Sequence, residues 1–363
     1  MRMDEMNQQI SQRLDWAVSI ARKAGQRTLE FFQSGRFEVQ RKADDSPVTM
    51  ADLQAEQLMR DLIGSEFPRD GIVGEEFGEQ PGESGFRWIL DPIDGTKSFI
   101  TGVPLYSVLV GVLHEDQAVA GVILIPGLDE YVYASRGQGA WWTQGSREPR
   151  PARVSSCEKL AAGAFLTSQV DSFGERNAAE AFTQLEAAAS IARTWGDGYG
   201  YLLVATGRAE LMVDPIMNLW DAAPLRIVME EAGGTFTDWK GEPTIHHGEG
   251  IATNGQYDLV ASCVTYDSRN QALIGCLRST GIDDFSKIAG QKGGKKKAAA
   301  TGEKARPLTR RQRSVAEIKQ MKKIGDRDPE RLAQLLVAML GQERAKEEEA
   351  KRKLDEQVWD IIH

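Results

Sequence analysis

The stretch Trp88-Ile89-Leu90-Asp91-Pro92-Ile93-Asp94-Gly95-Thr96 decides the fold of this chain. Its apolar start is typical of a buried strand, and its end places two carboxylates beside a glycine, where the backbone can approach a ligand closely. The residues that follow are typical of a helix start, whose unpaired N–H groups can hold an anion. Acidic side chains and anion-binding amides are therefore expected to meet at the end of one strand.

Taken alone, Asp91-Pro92-Ile93-Asp94-Gly95 could equally form a turn, because Asp-Pro and Asp-Gly are common turn pairs. Two further acidic clusters, Gly74-Glu75-Glu76 and Trp220-Asp221-Ala222-Ala223, alter that interpretation. Each has a simpler alternative, which is a solvated charge pair for Glu75-Glu76 and an ordinary helix N-cap for Asp221. Considered together, carboxylates with no basic residue beside them suit hard cations such as Mg²⁺.

The composition is that of an ordinary globular protein. The chain has 363 residues, of which 41% are hydrophobic and 27% charged, so about two domains are expected. No apolar stretch reaches the roughly 18 residues of a membrane span, and we expect a cytoplasmic protein without membrane association. Three cysteines without CxxC spacing and four scattered histidines indicate neither a disulfide framework nor a zinc site. Catalysis is expected to depend on carboxylates.

The charge of the chain is distributed unevenly. Residues 288–363 contain 19 Lys and Arg against 12 Asp and Glu, whereas the preceding residues carry a net charge of −16. We do not expect nucleic-acid binding, because the basic linker lacks interleaved aromatic residues and the body is acidic. The expected organisation is an N-terminal α+β half over 1–142, a C-terminal α/β half over 143–287, a flexible basic linker over 288–307 and a helical tail over 308–363.

Hydrophobic periodicity predicts the individual elements. Helices are expected over 7–32, 49–63, 176–189 and 221–232, and strands over 71–73, 88–90, 107–113, 119–124, 131–134 and 211–213. Thr49 and Asp52 approximate a capping box at the start of the second helix, which is a structural alternative to any catalytic role for Asp52. Pro224 is expected in the first turn of its helix, where a missing N–H costs little.

Three motifs occur in a fixed order: GEE from residue 74, WxLDPIDGTxxF from residue 88 and WDxA from residue 220. Together with Val48-Thr49-Met50-Ala51-Asp52 they resemble the inositol monophosphatase superfamily of Mg²⁺-dependent phosphatases, over about residues 7–280. This resemblance implies a layered αβαβα sugar-phosphatase fold, to which the helical tail is appended. The segments 193–201, 205–210 and 212–215 resemble the histidinol-phosphate phosphatase branch more than the inositol branch.

The resemblance also implies two metal-ligand sets for two or three Mg²⁺ ions: Glu75, Asp91 and the Ile93 carbonyl for the first ion, and Asp91, Asp94 and Asp221 for the second. Glu75 and Thr96, the latter held by Asp52, would orient and deprotonate the attacking water. The amides of Gly95 and Thr96 would bind the phosphate. Two metals that clamp the attacking and leaving oxygens make a covalent phosphoenzyme unnecessary.

Two more aspartates are candidates for substrate recognition. Asp214 occupies the place where inositol-cleaving relatives carry a glutamate that contacts the sugar, and with Asp197 it could meet a cationic amine. The alternative is that both are surface turn residues, since Asp214 precedes Pro215 and Asp197 lies between glycines. The expected reaction is hydrolysis of L-histidinol phosphate in histidine biosynthesis, with an inositol or related sugar phosphate as the alternative substrate.

Two alternatives of other classes stay open at this point. A haloacid-dehalogenase-type phosphatase would use an aspartate nucleophile, but its two acids are separated by one residue, whereas two residues separate Asp91 from Asp94. The chain could also act as an adaptor through its tail, in which we find no catalytic motif. A homodimer and an unidentified protein partner for the tail are both compatible with the sequence.

Overall fold

The computed structural model describes residues 3–34, 39–41 and 47–256. The expected linker and tail lie outside these residues, and the division into halves at residue 142 stays a prediction. None of the helices in the described ranges is long and apolar enough to cross a membrane.

The described residues form α-helices and β-strands with the following bounds. The α-helices are α1 (Met3–Leu29), α2 (Met50–Glu66), α3 (Thr96–Ile100), α4 (Asp171–Glu175), α5 (Ala179–Ala188), α6 (Gly198–Ala205) and α7 (Leu219–Glu231). The strands are β1 (Val39–Arg41), β2 (Pro47–Thr49), β3 (Gly71–Gly74), β4 (Gly78–Gln80), β5 (Phe86–Asp94), β6 (Ser107–His114), β7 (Gln117–Ile125), β8 (Glu130–Ser135), β9 (Ala140–Gln144), β10 (Arg150–Pro151), β11 (Ala164–Leu166), β12 (Ile191–Arg193), β13 (Leu211–Asp214), β14 (Thr235–Thr237) and β15 (Gly250–Thr253).

Two sheets separate three layers of helix. The larger sheet has the strand order β10-β9-β8-β7-β6-β5-β3-β4, and the smaller one the order β12-β11-β13-β15-β14. Helices α1 and α2 cover one face of the larger sheet, α6 and α7 fill the space between the two sheets, and α4 and α5 cover the far face of the smaller sheet. The predicted αβαβα layering is confirmed.

The position of Pro224 differs from the prediction. Because Asn218 is the N-cap and α7 begins at Leu219, Pro224 lies inside the helix, beyond its first turn. Its ring removes one helical hydrogen bond. At this point α7 approaches the larger sheet so closely that a Cβ on Gly121 would lie 2.5 Å from the Pro224 carbonyl oxygen. Glycine in β7 therefore permits the contact between this helix and the sheet.

Replacing Arg13 by alanine is expected to lower the free energy of unfolding by about 3–5 kcal/mol, the usual effect of removing one partner of a buried ion pair. Arg13 donates to both oxygens of Asp70, at 2.8 and 2.9 Å, and its guanidinium lies 3.7 Å from the Phe86 ring centroid. Asp70 is buried and also accepts hydrogen bonds from Ser84 and Trp88. Urea unfolding at neutral pH measures the change.

Arg87→Ala, on β5 next to Phe86, provides the matched control. Arg87 pairs with Asp116 at 2.7 Å, but the two side chains are 32% and 54% exposed. A solvated pair of this kind contributes at most about 1 kcal/mol. If Arg13→Ala and Arg87→Ala lowered the free energy of unfolding by similar amounts, the larger contribution assigned to the buried pair of Arg13 and Asp70 would be wrong.

Candidate active site

A β-bulge in β5 brings the two aspartates of the central motif onto one face of the sheet. Side chains alternate between faces along a regular strand, so residues 91 and 94 would otherwise point in opposite directions. In the structure Asp91 lies opposite Leu109 and Asp94 opposite Ser107, which leaves one extra residue on β5. Pro92 lies within this irregularity, where its missing N–H is tolerated. Because Leu109 belongs to the core that α7 covers, both carboxylates lie on the α7 side.

Asp221 completes a cluster of three carboxylates. One oxygen from each of Asp91, Asp94 and Asp221 lies within 4.8 Å of the other two. Asn218 is the N-cap of α7, and Asp221 accepts a hydrogen bond from the Asn218 N–H at 2.6 Å in a capping box. The alternative interpretation of Asp221 as the N-cap is therefore wrong, because it lies three residues further on, where a carboxylate can cap the helix and face a cation as well.

Glu75 joins the same cluster from the end of β3. Its N–H donates to the Leu90 carbonyl at 3.1 Å, which extends the parallel pairing of β3 with β5 by one residue. Its half-buried side chain lies close enough to Asp91 for its charge to raise the pKa of that carboxyl. The alternative of a solvated charge pair is thus wrong for Glu75.

The electrostatics of the cluster favour a bound cation. Burial first, and then the charges of Glu75, Asp94 and Asp221, hold the pKa of Asp91 well above its ordinary value. Burial and the charges of Asp197 and Asp221 do the same for Asp94, while burial raises the pKa of Asp221 to about 7. Hard carboxylate oxygens that repel one another in a buried site are the donor set that Mg²⁺ suits, since the ion offsets their charge.

Two residues that the sequence analysis did not single out hold Asp94. Its Oδ2 accepts hydrogen bonds from the Ser107 hydroxyl at 2.5 Å and from the Gly198 N–H at 2.6 Å. Ser107 lies on the neighbouring strand β6, and Gly198 is the first residue of α6. No local motif marks either residue, because each acts through a contact distant in sequence.

The predicted hydrogen bond between Thr96 and Asp52 is not formed. Thr96 Oγ1 donates to the Ile93 carbonyl at 3.2 Å. Asp52 Oδ2 accepts from the backbone N–H and the hydroxyl of Thr49, so the predicted capping box is confirmed. Asp52 Oδ1 is buried without a hydrogen-bond partner, and burial raises the pKa of Asp52 to about 6.

Gly95 and Asp197 lie against each other. Gly95 has a φ of 85°, in the left-handed region that glycine adopts without strain, and it is the N-cap of α3. A Cβ at this position would overlap the Asp197 carboxylate. Asp197 therefore lies beside Gly95, where the phosphate-binding amides are expected. The positive charge of Lys97 lowers the pKa of Asp197, but burial has the larger effect and raises it overall.

Asp214 is buried at the end of β13, with 4% of its surface exposed. One of its oxygens accepts hydrogen bonds from the N–H and the hydroxyl of Ser168, and the other accepts from the Tyr201 hydroxyl at 3.0 Å. Burial raises the pKa of Asp214 to about 6. The alternative of a surface turn residue is wrong for Asp214. Ser168 and Tyr201 were not anticipated from the sequence.

These groups share one cleft. Its lining combines carboxylates with apolar side chains and comprises Asp94, Ser168, Asp197, Gly198, Tyr201, Asp214, Ile216, Met217, Asp221 and Leu225. The cleft lies where the end of β5, the start of α6, the end of β13 and the start of α7 converge. An acidic cluster that could hold metal ions thus adjoins a second pair of carboxylates, Asp197 and Asp214.

Sequence and fold place this chain in one family. The model of the inositol monophosphatase family matches residues 9–272, more than half of the chain. The chain belongs to the inositol monophosphatase family. It is 43% identical over 240 residues to the histidinol-phosphatase of Chlorobaculum parvum, covering 66% of this chain and 91% of that protein. It is 35% identical over 239 residues to the histidinol-phosphatase of Mycobacterium tuberculosis, covering 66% and 92%.

The fold of this inositol monophosphatase family member is similar to that of the extragenic suppressor protein suhB from Bartonella henselae. The TM-score is 0.63 at 28% identity, over 68% of this chain and 95% of the other. The chain is thus a phosphoric monoester hydrolase, a Mg²⁺-dependent phosphatase of small phosphorylated metabolites. The haloacid-dehalogenase alternative is wrong.

Proposed function

We propose that this member of the inositol monophosphatase family hydrolyses L-histidinol phosphate to L-histidinol and phosphate. The observation that supports this substrate is the second pair of carboxylates, Asp197 and Asp214, which lines the cleft beside the cluster of Asp91, Asp94 and Asp221. Lys97 acts on Asp197 alone, and a phosphate ester that carries a protonated amine would bring positive charge to Asp214 as well. The similarity to two histidinol-phosphatases supports the same choice.

The proposed metal ligands are carboxylate and carbonyl oxygens, which Mg²⁺ prefers. The proposed ligands are Glu75, Asp91 and the Ile93 carbonyl for one Mg²⁺, and Asp91, Asp94 and Asp221 for a second. The proposal covers two or three bound ions. When bound, Mg²⁺ supplies Lewis-acid stabilisation of the charge on the phosphate ester and makes water a better nucleophile. Asp94 is kept in position for this role by Ser107 and Gly198.

The remaining groups act on water and phosphate. Glu75 accepts a proton from the attacking water, and the Thr96 hydroxyl orients that water. The unpartnered Oδ1 of Asp52 is available to accept a hydrogen bond from Thr96, which would release the contact of its hydroxyl with Ile93. The amides of Gly95 and Thr96 bind the phosphate oxygens. Water attacks phosphorus directly while the bond from phosphorus to the histidinol oxygen breaks, and that oxygen takes up a proton and leaves as the hydroxyl of L-histidinol, so no phosphoenzyme forms.

The substrate amine is held by a pre-oriented carboxylate. Both oxygens of Asp214 already accept hydrogen bonds from Ser168 and Tyr201, so the side chain does not have to reorganise when a cation binds. At neutral pH Asp214 is mainly ionised, because its pKa of about 6 lies below the ambient value. Asp197 is the second negative group, on the side of the phosphate site.

A turnover comparison tests the proposal. Purified full-length protein with Mg²⁺ is assayed against L-histidinol phosphate, inositol 1-phosphate and fructose 1,6-bisphosphate. The kcat/KM for histidinol phosphate is expected to exceed the other two by at least about tenfold, the effect of one additional charge-assisted hydrogen bond. Preference for inositol 1-phosphate would overturn the substrate and leave the phosphatase assignment in place.

A further inference from the structure

Glu56 of α2 is a buried carboxylate that the proposed reaction does not use directly. It is fully buried, an arrangement that costs free energy unless the charge is paired and hydrogen-bonded. Arg60, one helical turn later, donates from Nε to Glu56 Oε1 at 2.8 Å. This ion pair offsets the charge, so Glu56 adds little to the negative charge of the neighbouring acidic cluster.

The other hydrogen bonds of Glu56 reach the chain just after β3. Glu56 Oε2 accepts from the Glu76 N–H at 2.7 Å, and Oε1 accepts from the Phe77 N–H at 3.2 Å. On the other side of Glu75, Gly74 leaves the space that the Glu56 carboxylate fills, since a Cβ on Gly74 would overlap it. The backbone is thus held against Glu56 both before and after Glu75.

We infer that Glu56 is a positioning residue that fixes the carboxylate of Glu75 by clamping the backbone from Gly74 to Phe77. This inference rests on the proposed role of Glu75 in binding metal and accepting the proton of water. The Glu75 N–H is bound to Leu90, so β5 and α2 together restrain the segment. A carboxylate displaced by even a fraction of an ångström loses part of its effect on a reaction, because catalysis depends on exact distances between reacting groups.

Glu56→Gln keeps the length of the side chain and places an N–H donor where two backbone N–H groups and Arg60 also donate. We expect kcat to fall about ten- to hundredfold, the range found when groups that orient metal ligands are changed. KM for L-histidinol phosphate is expected to stay within about threefold, because the ester is bound by other residues. Affinity for Mn²⁺ alone, measured by electron paramagnetic resonance on the full chain, is expected to fall about tenfold.

Glu56→Asp keeps the charge but shortens the side chain, so the carboxylate no longer reaches the N–H groups of both Glu76 and Phe77. We therefore expect the kcat of Glu56→Asp to lie below that of the parent, as in Glu56→Gln. Its kcat and Mn²⁺ affinity also test the positioning role if Glu56→Gln does not fold. Arg13→Lys is the matched control, since it weakens a buried ion pair of the same helical layer without touching the segment from Gly74 to Phe77. It is expected to lower the melting temperature while leaving kcat and Mn²⁺ affinity unchanged.

Glu75→Gln tests the proposed role of Glu75 separately from that of Glu56. If Glu75→Gln is inactive while Glu56→Gln and Glu56→Asp match the parent in kcat and Mn²⁺ affinity, the positioning role of Glu56 is wrong and the proposed function stands. Parental activity in Glu75→Gln would overturn the proposed role of Glu75 and the inference together. A loss of kcat in Arg13→Lys as large as in Glu56→Gln would assign Glu56 to stability alone.

Discussion

Asp91→Asn is expected to lower kcat about a thousandfold, because several kcal/mol of transition-state stabilisation depend on the metal ions that Asp91 would bridge. Asparagine has nearly the same shape, and its carbonyl oxygen can still accept the Ile93 N–H, which lies 3.0 Å from Asp91 Oδ1. The fold is expected to survive. Steady-state assays with saturating Mg²⁺ measure the loss, and addition of EDTA is expected to abolish the activity of the parent.

The unfolding midpoint of Asp91→Asn tests independently whether the carboxylates of the cluster repel one another. Asp91 is buried among Glu75, Asp94 and Asp221, and their charges oppose its ionisation. Removing one of these charges relieves repulsion, so the unfolding midpoint of the metal-free variant is expected to equal or exceed that of the parent. Asp116→Asn, at an exposed turn position with a φ of 65° that asparagine tolerates, is the control and should change neither property. Full activity of Asp91→Asn, or of the parent in EDTA, would contradict the two-metal scheme.

Asp214→Asn is expected to lower kcat/KM for L-histidinol phosphate about ten- to hundredfold more than for an ester without an amine, such as inositol 1-phosphate. This ratio corresponds to the loss of one charge-assisted hydrogen bond of about 1.5–3 kcal/mol. The asparagine oxygen can keep the two hydrogen bonds from Ser168, and the Tyr201 hydroxyl can accept from the new amide. The change therefore removes a charge with little rearrangement.

Asp214→Glu is the companion variant, because it restores the charge and lengthens the side chain. We expect Asp214→Glu to retain more selectivity for the cationic ester than Asp214→Asn does. Compared with the parent, its preference is expected to shift towards inositol 1-phosphate, since a longer acid reaches further into the cleft. Equal losses of kcat/KM for both esters in Asp214→Asn would assign Asp214 to the general architecture of the site. The measurement is the ratio of the two kcat/KM values.

Long apolar patterns were sufficient to locate the main elements. The periodicity of 7–32 predicts α1, and the uninterrupted apolar runs over 107–113 and 119–124 predict the two central strands of the larger sheet. Strands of three residues such as β12 and β14 were not predicted, because so short a segment carries no period and is stabilised by the neighbouring strands of its sheet. The predicted start of α7 lies two residues late, because Asp221 is as good a capping residue as Asn218, which is the N-cap in the structure.

The sequence by itself determined the family and the acidic motifs, because DPIDGT, GEE and WD are local patterns of residue type and spacing. Only the tertiary structure decided how these side chains are arranged. The bulge in β5 turns Asp94 to the same face as Asp91, and Gly198 reaches Asp94 across 104 residues of sequence. Ser168 approaches Asp214 across 46 residues, and burial makes Asp214 part of the cleft. Contacts of this kind depend on how two sheets pack around α6 and α7, and no period or motif along the chain encodes them.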